Sequence, residues 1–200
     1  GNFIERLELR PVPGMERVGR DLHRVMQEVH KATAIVSHLR TFGRGAATIK
    51  EPISIHTVLK SAVLLVGEQF RQMGIEVELQ LCSGEPCVLG NAIQLEQVVL
   101  NLLNNARDAV REAATKQIRI GTALNKPNIE ISMHDTGSGI EPRLLSRVFD
   151  PFFTTKPVGQ GTGLGLSITY GIVQDHQGTI HVESRPGRGA TFRITLPTLS

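Results

Sequence analysis

The chain contains no tryptophan, one tyrosine and only 4% aromatic residues in all. Its lysines and arginines are scattered rather than clustered. The net charge of +3 and sequence pI of about 9.1 therefore lack the basic stripe of a nucleic-acid binder. No apolar run approaches the roughly 18 residues that a membrane-spanning helix needs. The longest candidate, 62–66, is far too short, and no signal peptide is legible. The expectation is a cytoplasmic domain with no membrane segment in this chain, whatever anchors a longer parent. Cysteine is scarce too: Cys82 and Cys87 are the two present. With no second cysteine or histidine cluster, free thiols are expected rather than a disulfide or half a metal site.

What is present fits a soluble globular protein, with 40% hydrophobic and 20% charged residues. Its 200 residues are enough for one packed domain and a helical appendage. Met15, Val18, Leu22, Val25, Val29, Ala32, Val36 and Leu39 alternate spacings of three and four, a heptad seam. So narrow a stripe must pack on another helix or on a second copy of itself. Lying on a globular core is the plainer alternative, but four regular heptads favour a bundle. Residues 1–45 are accordingly assigned to a partial helical hairpin, with 15–42 as its second helix, and 46–200 to a separate domain. The stretch 43–52 reads as a linker, broken by Gly43, Gly45 and Pro52.

Beyond the linker, the pattern predicts a helix over 54–73, closed by Gly74, and a strand over 75–81. A long helix follows over 92–114. Strands at 118–122 and 128–134 flank a turn-rich segment and form a hairpin. A short helix over 141–148 starts at Glu141 with Pro142 in its first turn. Residues 149–162, rich in Gly, Pro and Thr, lead to a helix over 164–175. Strands at 179–184 and 190–196 complete the pattern. Interspersed strands and helices imply an α/β fold, a two-layer sandwich with helices on one face of a mixed sheet.

Three stretches carry chemistry. On the long helix, Gln94, Gln97, Asn101, Asn105 and Asp108 form a polar stripe beside the buried face of Leu95, Val98, Leu102 and Ala106. Asparagine is a poor residue inside a helix, so two of them one turn apart need a reason. They are either solvated or tied to a neighbouring loop, or they direct amide oxygens into a pocket. An amide oxygen suits Mg²⁺, which usually keeps several waters and bridges phosphates.

The second stretch is Asp135-Thr-Gly-Ser-Gly-Ile140. Ile129, Ile131 and Met133 alternate with polar residues, which puts Asp135 on the apolar face. A carboxylate aimed at a core must be paired. It either holds its own turn or binds a ligand amine, such as that of adenine, in a flat apolar slot. The third is Gly159-Gln-Gly-Thr-Gly-Leu-Gly-Leu-Ser167, preceded by Phe149-Asp-Pro-Phe-Phe-Thr-Thr-Lys156. Alternating glycines leading into a helix offer backbone N–H groups to phosphates. A glycine-rich surface loop without ligand is the alternative. The preceding composition suggests a mobile lid hinged on Phe149, Phe152 and Phe153, with Lys156 in reach of a phosphate.

Asn101-Leu-Leu-Asn-Asn-Ala106, Asp135-Thr-Gly-Ser-Gly-Ile140, Phe149-Asp-Pro-Phe-Phe153 and Gly161-Thr-Gly-Leu-Gly-Leu166 resemble the N, G1, F and G2 boxes of sensor histidine kinases, in that order and spacing. Gly187-Arg-Gly-Ala-Thr-Phe192 is similar to the lead-in of the family's closing strand. The likeness covers about residues 50–198. Residues 148–167 look most like the nitrogen- and oxygen-sensing kinases, and 34–42 resemble the second helix of their dimerisation hairpin. The resemblance implies a Bergerat-type ATP site. In it, Asn105 would ligate Mg²⁺, and Asn101 would support the phosphates or a metal-bound water. Asp135 would bind the adenine amine. Gly137, Gly139, Gly161, Gly163 and Gly165 would give backbone access to the nucleotide. Lys156 would contact a phosphate, with Ile140, Phe149, Thr162, Leu164, Leu166 and Thr191 completing the pocket. Asp108 departs from kinases that carry a basic residue one turn beyond the metal Asn.

The resemblance also discriminates among relatives. Gyrase-type, mismatch-repair and chaperone ATPases place a Glu one turn before the metal Asn, as base for water. Here that position is Asn101, which cannot take a proton, so transfer to a histidine fits better than hydrolysis. Implied partners are a response-regulator receiver domain and a second copy of the chain through the N-terminal helix, with no nucleic acid. A family phosphoacceptor His is followed by an acidic residue. His23, His30, His38 and His56 are not. The acceptor is expected upstream of residue 1, so the chain alone should bind ATP without phosphorylating itself. A non-catalytic nucleotide-binding module of the same fold is the alternative.

Overall fold

The computed structural model describes residues 50–157 and 161–199. The heptad helix over 15–42, most of the 43–52 linker and the boundary at 45/46 lie outside those residues. Strand β1 (Glu51–Ser54) leads into helix α1 (Ile55–Gln72), followed by β2 (Glu76–Gln80), β3 (Cys87–Gly90) and helix α2 (Ala92–Val110). The hairpin β4 (Gln117–Asn125) and β5 (Asn128–Asp135), a 3-10 helix (Pro142–Arg147), helix α3 (Gly165–Asp175), β6 (Thr179–Ser184) and β7 (Ala190–Pro197) complete it. The main sheet runs β2-β4-β5-β7-β6. Only the β2–β4 pair is parallel, so the sheet is mixed as expected.

Strict alternation on β5 and β7 builds one apolar face. Ile129, Ile131, Met133 and Asp135 are buried on β5, and Ala190, Phe192, Ile194 and Leu196 on β7. The other face carries Arg119 paired with Glu78, and Arg193 paired with Glu130. The helices cover the apolar face. Ser54 caps α1 by accepting the Thr57 N–H, and Ile55, Val58, Leu59, Ala62, Val66 and Phe70 form its buried stripe. Asn91 caps α2 by accepting the Gln94 N–H, and Leu95, Val98, Val99, Leu102, Leu103, Ala106 and Val110 pack inward. Each fully buried Leu or Ile, such as Leu59, Leu103 or Ile118, contributes about 1.5–3 kcal/mol.

The structure departs from the pattern-based reading in four places. β1 and β3 pair antiparallel in a separate two-stranded sheet where no strand was expected. β4 extends to Asn125, past its expected end at 122, so the turn-rich segment of the expected hairpin shrinks to residues 126–127. The helix expected over 92–114 stops at Val110, and a turn in which the Ala113 N–H bonds the Val110 carbonyl follows it. The short helix after Glu141 is 3-10 rather than α, starts on Pro142 and has no side-chain cap. Both cysteines are free thiols. Cys82 Sγ lies 3.7 Å from Nε2 of the buried His56.

His176 stitches the helical layer together. Its Nε2 accepts the Asn91 N–H at 3.0 Å, so its Nδ1–H donates to the Ile172 carbonyl at 2.7 Å. The ring lies flat on Gly90, where a Cβ would sit 2.5 Å from it. Burial holds this imidazole below its ordinary value of 6.5. The folded state therefore binds a proton less readily than the unfolded chain, and stability present above pH 6.5 is lost as pH falls. Melting followed between pH 7.5 and 5 should show this loss, at roughly 2–4 °C per kcal/mol. His176→Gln should flatten that part of the profile, and an unchanged slope would remove His176 as its cause.

Candidate functional site

A cleft of about 750 Å³ opens between the C-terminal half of α2, the loop after β5, the 3-10 helix, residues 153–156 and the inner face of β7. Asn105 and Asp135 both line it. Helical spacing places Asn105 beside the buried stripe, and strand alternation carries Asp135 to the inner end of β5.

Asp135 is 4% exposed. Its Oδ1 accepts the Gly137 N–H at 2.9 Å and the Ala190 N–H at 3.3 Å. It thus holds its own turn, the plainer of the two roles considered for it. Only one oxygen is used, however, and Oδ2 has no partner among the described residues. Burial raises its pKa, and the two N–H donors oppose that rise. Ile140, Leu144, Val148, Leu166 and Phe192 make apolar walls on the same cleft. A slot with a buried carboxylate suits a flat heterocycle carrying an exocyclic amine.

The lining also carries charged residues: Arg107, Asp108, Arg111, Glu112 and Lys156. Lys156 Nζ bonds Asp108 Oδ2, while Arg107 donates from Nε and Nη2 to Asp108 Oδ1 at 2.9 and 2.7 Å. Burial pushes the Asp108 carboxyl up, but the bonds from Lys156 and Arg107 outweigh it and hold it below its ordinary value. A cleft that combines apolar walls with cations and a side-chain amide suits a ligand with a polyphosphate tail. Asn105 offers one amide oxygen, a donor compatible with Mg²⁺ bridging to phosphates. No group of three His, Cys, Asp or Glu among the described residues could hold a metal by itself.

The other expected site residues fall in several places. Gly139 lines the cleft with Ile140, whose N–H donates to Ser184 Oγ at 2.8 Å. Gly137 packs on α2, where a Cβ would meet Ala109 backbone at 2.6 Å. Asn101 is not in the lining. Its Nδ2 donates to the Gly165 carbonyl at 3.1 Å and to Thr169 Oγ1 at 3.3 Å, so it ties α2 to the start of α3. Thr162 Oγ1 accepts the Leu164 N–H at 3.3 Å, and Leu164 is a core residue at 1% exposure. Gly161 packs against Thr154 and Lys156, and Gly163 has φ +66° with Phe152 backbone against it. Phe149 stacks on Tyr170 at 5.7 Å instead of lining the cleft. Phe153 does line it and sits 4.7 Å from the Arg147 guanidinium. Phe152 is exposed rather than an anchor.

Thr191 requires correction. It lies on the outer face of β7, where Oγ1 is 3.0 Å from His134 Nδ1, and the cleft-lining residues of that strand are Ala190 and Phe192. Leu144, Val148 and Gly189 also escaped the motif-based reading. Alternation along 190–196 would have pointed Phe192 inward with Ile194 and Leu196.

Residues 90–200 match the family described as histidine kinase-, DNA gyrase B- and HSP90-like ATPase. The two-component sensor PprA of Pseudomonas aeruginosa is 41% identical over 98% of this chain, which spans 22% of that protein. The sensor kinase CckA of Brucella abortus is 35% identical over 90% of this chain, which spans 20% of it. Among solved structures, the catalytic domain of histidine kinase ThkA superposes with a TM-score of 0.66 at 30% identity, covering 74% of this chain and 95% of that one. The mycobacterial sensor histidine kinase MprB gives 0.63 at 27%, covering 75% and 98%.

Proposed function

The chain belongs to the histidine kinase-, DNA gyrase B- and HSP90-like ATPase family, and on that premise we propose that it is the ATP-binding kinase core of a two-component sensor histidine kinase. In this reading the γ-phosphoryl of ATP passes to a histidine of a dimerisation hairpin and then to an aspartate of a response regulator. The heptad seam over 15–42 supports a hairpin helix and homodimerisation through it, in a cytoplasmic setting. One observation carries the assignment: Asp135 and Asn105 face a single cleft whose lining combines apolar walls with the charged residues Arg107, Asp108, Arg111 and Lys156.

In this reading each cleft residue has a role. The Asp135 oxygen left free by Gly137 and Ala190 takes the adenine amine. Ile140, Leu144, Val148, Leu166 and Phe192 clamp the base and exclude water. Asn105 would hold a Mg²⁺ ion through its amide oxygen, and Arg107, Arg111 and Lys156 would neutralise phosphate charge. Magnesium, when bound, offsets the charge developing on the transferred group. Asn101 lacks a proton-accepting carboxylate and has its amide nitrogen committed to α3, which suits transfer to a side chain better than activation of water.

The test is titration calorimetry with Mg-ATP, followed by radiolabel transfer to an added hairpin bearing a phosphoacceptor histidine. Wild type should bind and should place acid-labile label on the hairpin. Asn105→Ala should weaken Mg-ATP binding by at least about tenfold while binding in EDTA changes little. Binding without transfer would favour a non-catalytic signalling module, and no binding at all would refute the assignment.

A further inference from the structure

Asp108 is the one carboxylate of the cleft that engages its cations. Lys156 reaches its Oδ2 from the 149–157 segment, 48 residues away in sequence, and Arg107 grips its Oδ1 through two nitrogens. Asp108 itself is only 21% exposed in its side chain. Arg107 is further braced by Asn104 Oδ1 at 2.9 Å. Two cationic groups facing the cleft thus converge on one ionised carboxylate, in the geometry that they would present to an anionic ligand oxygen.

Resting on the nucleotide-site reading above, we infer that Asp108 is a resident anion that competes with the nucleotide phosphates for Lys156 and Arg107. With the cleft empty, it keeps both cations paired and pins residues 154–156 to α2. A polyphosphate entering the cleft has to draw Lys156 away from Asp108, and it pays that ion pair before gaining its own. Asp108 therefore lowers affinity for the phosphorylated end of the ligand without touching recognition of the base. The contact also has a specificity consequence. A ligand too short to displace Asp108 from Lys156 meets a closed ion pair, so each added phosphate is rewarded only once that pair opens.

The experiment compares wild type, Asp108→Asn, Lys156→Ala and the double variant by calorimetry, using the magnesium complex of a non-hydrolysable ATP analogue and adenosine as probes. Melting curves establish that each is folded, and Asp108→Ser serves in place of Asp108→Asn should that variant fail to fold. Asp108→Asn should tighten the triphosphate about fivefold and leave adenosine unchanged, the size expected when a partly exposed ion pair no longer opposes binding. In the Lys156→Ala background most of that gain should vanish. Unchanged or weaker triphosphate binding in Asp108→Asn would overturn the inference and make Asp108 a support for the nucleotide. Equal tightening for adenosine would overturn it too. Failure of wild type to bind either probe is a different outcome, one that removes the nucleotide site and this inference with it.

Discussion

Replacing Asp135 by Asn is expected to weaken nucleotide binding by about a hundredfold while the empty protein melts no earlier than wild type. One oxygen of Asp135 is held by the Gly137 and Ala190 N–H groups, and an Asn carbonyl can accept both. That choice puts the amide NH₂ where the free carboxylate oxygen was, opposite the ligand's own amine, donor against donor. A hydrogen bond to a charged acceptor is worth about 1.5–3 kcal/mol, and about 1.4 kcal/mol is tenfold in affinity. The stability half rests on burial. Burial raises the Asp135 pKa from its ordinary 3.8, so the folded state holds a proton more tightly than the unfolded chain. The ionised group is thus a cost to folding: stability is greatest below pH 3.8 and is lost as pH rises through the folded value. Asn removes that cost. The melting advantage of Asp135→Asn should be largest near neutral pH and shrink on acidification. A large fall in melting temperature with binding retained would show that Asp135 is structural.

Gly189→Ala should instead weaken fold and site together. Gly189 has φ +74°, and a Cβ there would lie 1.8 Å from the Asp135 carbonyl oxygen and 3.2 Å from Asp135 Oδ1. Neither the strand nor the turn can yield, because Ser184 Oγ also donates to the Gly189 carbonyl at 2.7 Å. Backbone strain and displacement of the β5 end should together cost roughly 2–4 kcal/mol, with nucleotide binding lost. Gly74→Ala is the matched control. Its φ is +69°, but nothing lies within 4 Å of the added Cβ, so only the conformational cost of about 1 kcal/mol applies. Urea midpoints for the two variants, read with calorimetry, separate strain from collision. Similar losses in both would mean that collision with Asp135 contributes little.

The site was legible where its signals are local. Asp135-Thr-Gly-Ser-Gly-Ile140 and the amide stripe on α2 each lie within one element, and periodicity alone turns Asp135 inward and places Asn105 beside the core. What could not be read depends on pairing across distance. β1 and β3 have four residues each, too few for a periodic signal, and they are defined by pairing with each other, continued by the Ile55 N–H bond to the Pro86 carbonyl. Thr191 was within reach of local reading, since alternation turns it away from Ala190 and Phe192, to the side of its partner His134. The phosphate or metal-water role of Asn101 comes only from the resemblance, and no local pattern announces that its amide nitrogen bonds a carbonyl 64 residues away. The requirement for glycine at 189 is likewise non-local, because it comes from the Asp135 carbonyl packed against it.

β7 lies between β5 and β6 in the sheet, and it supplies both the Ala190 N–H to Asp135, 55 residues distant, and the Phe192 wall of the cleft. Loop closure over such a span is slow compared with forming the β4–β5 hairpin. During folding, helices and hairpin can therefore assemble into a domain whose sheet ends at β5, with β6 and β7 not yet docked, and which recognises no ligand. Acquisition of nucleotide affinity then reports the docking of β7, and ligand present during refolding should trap the chain only at that final step.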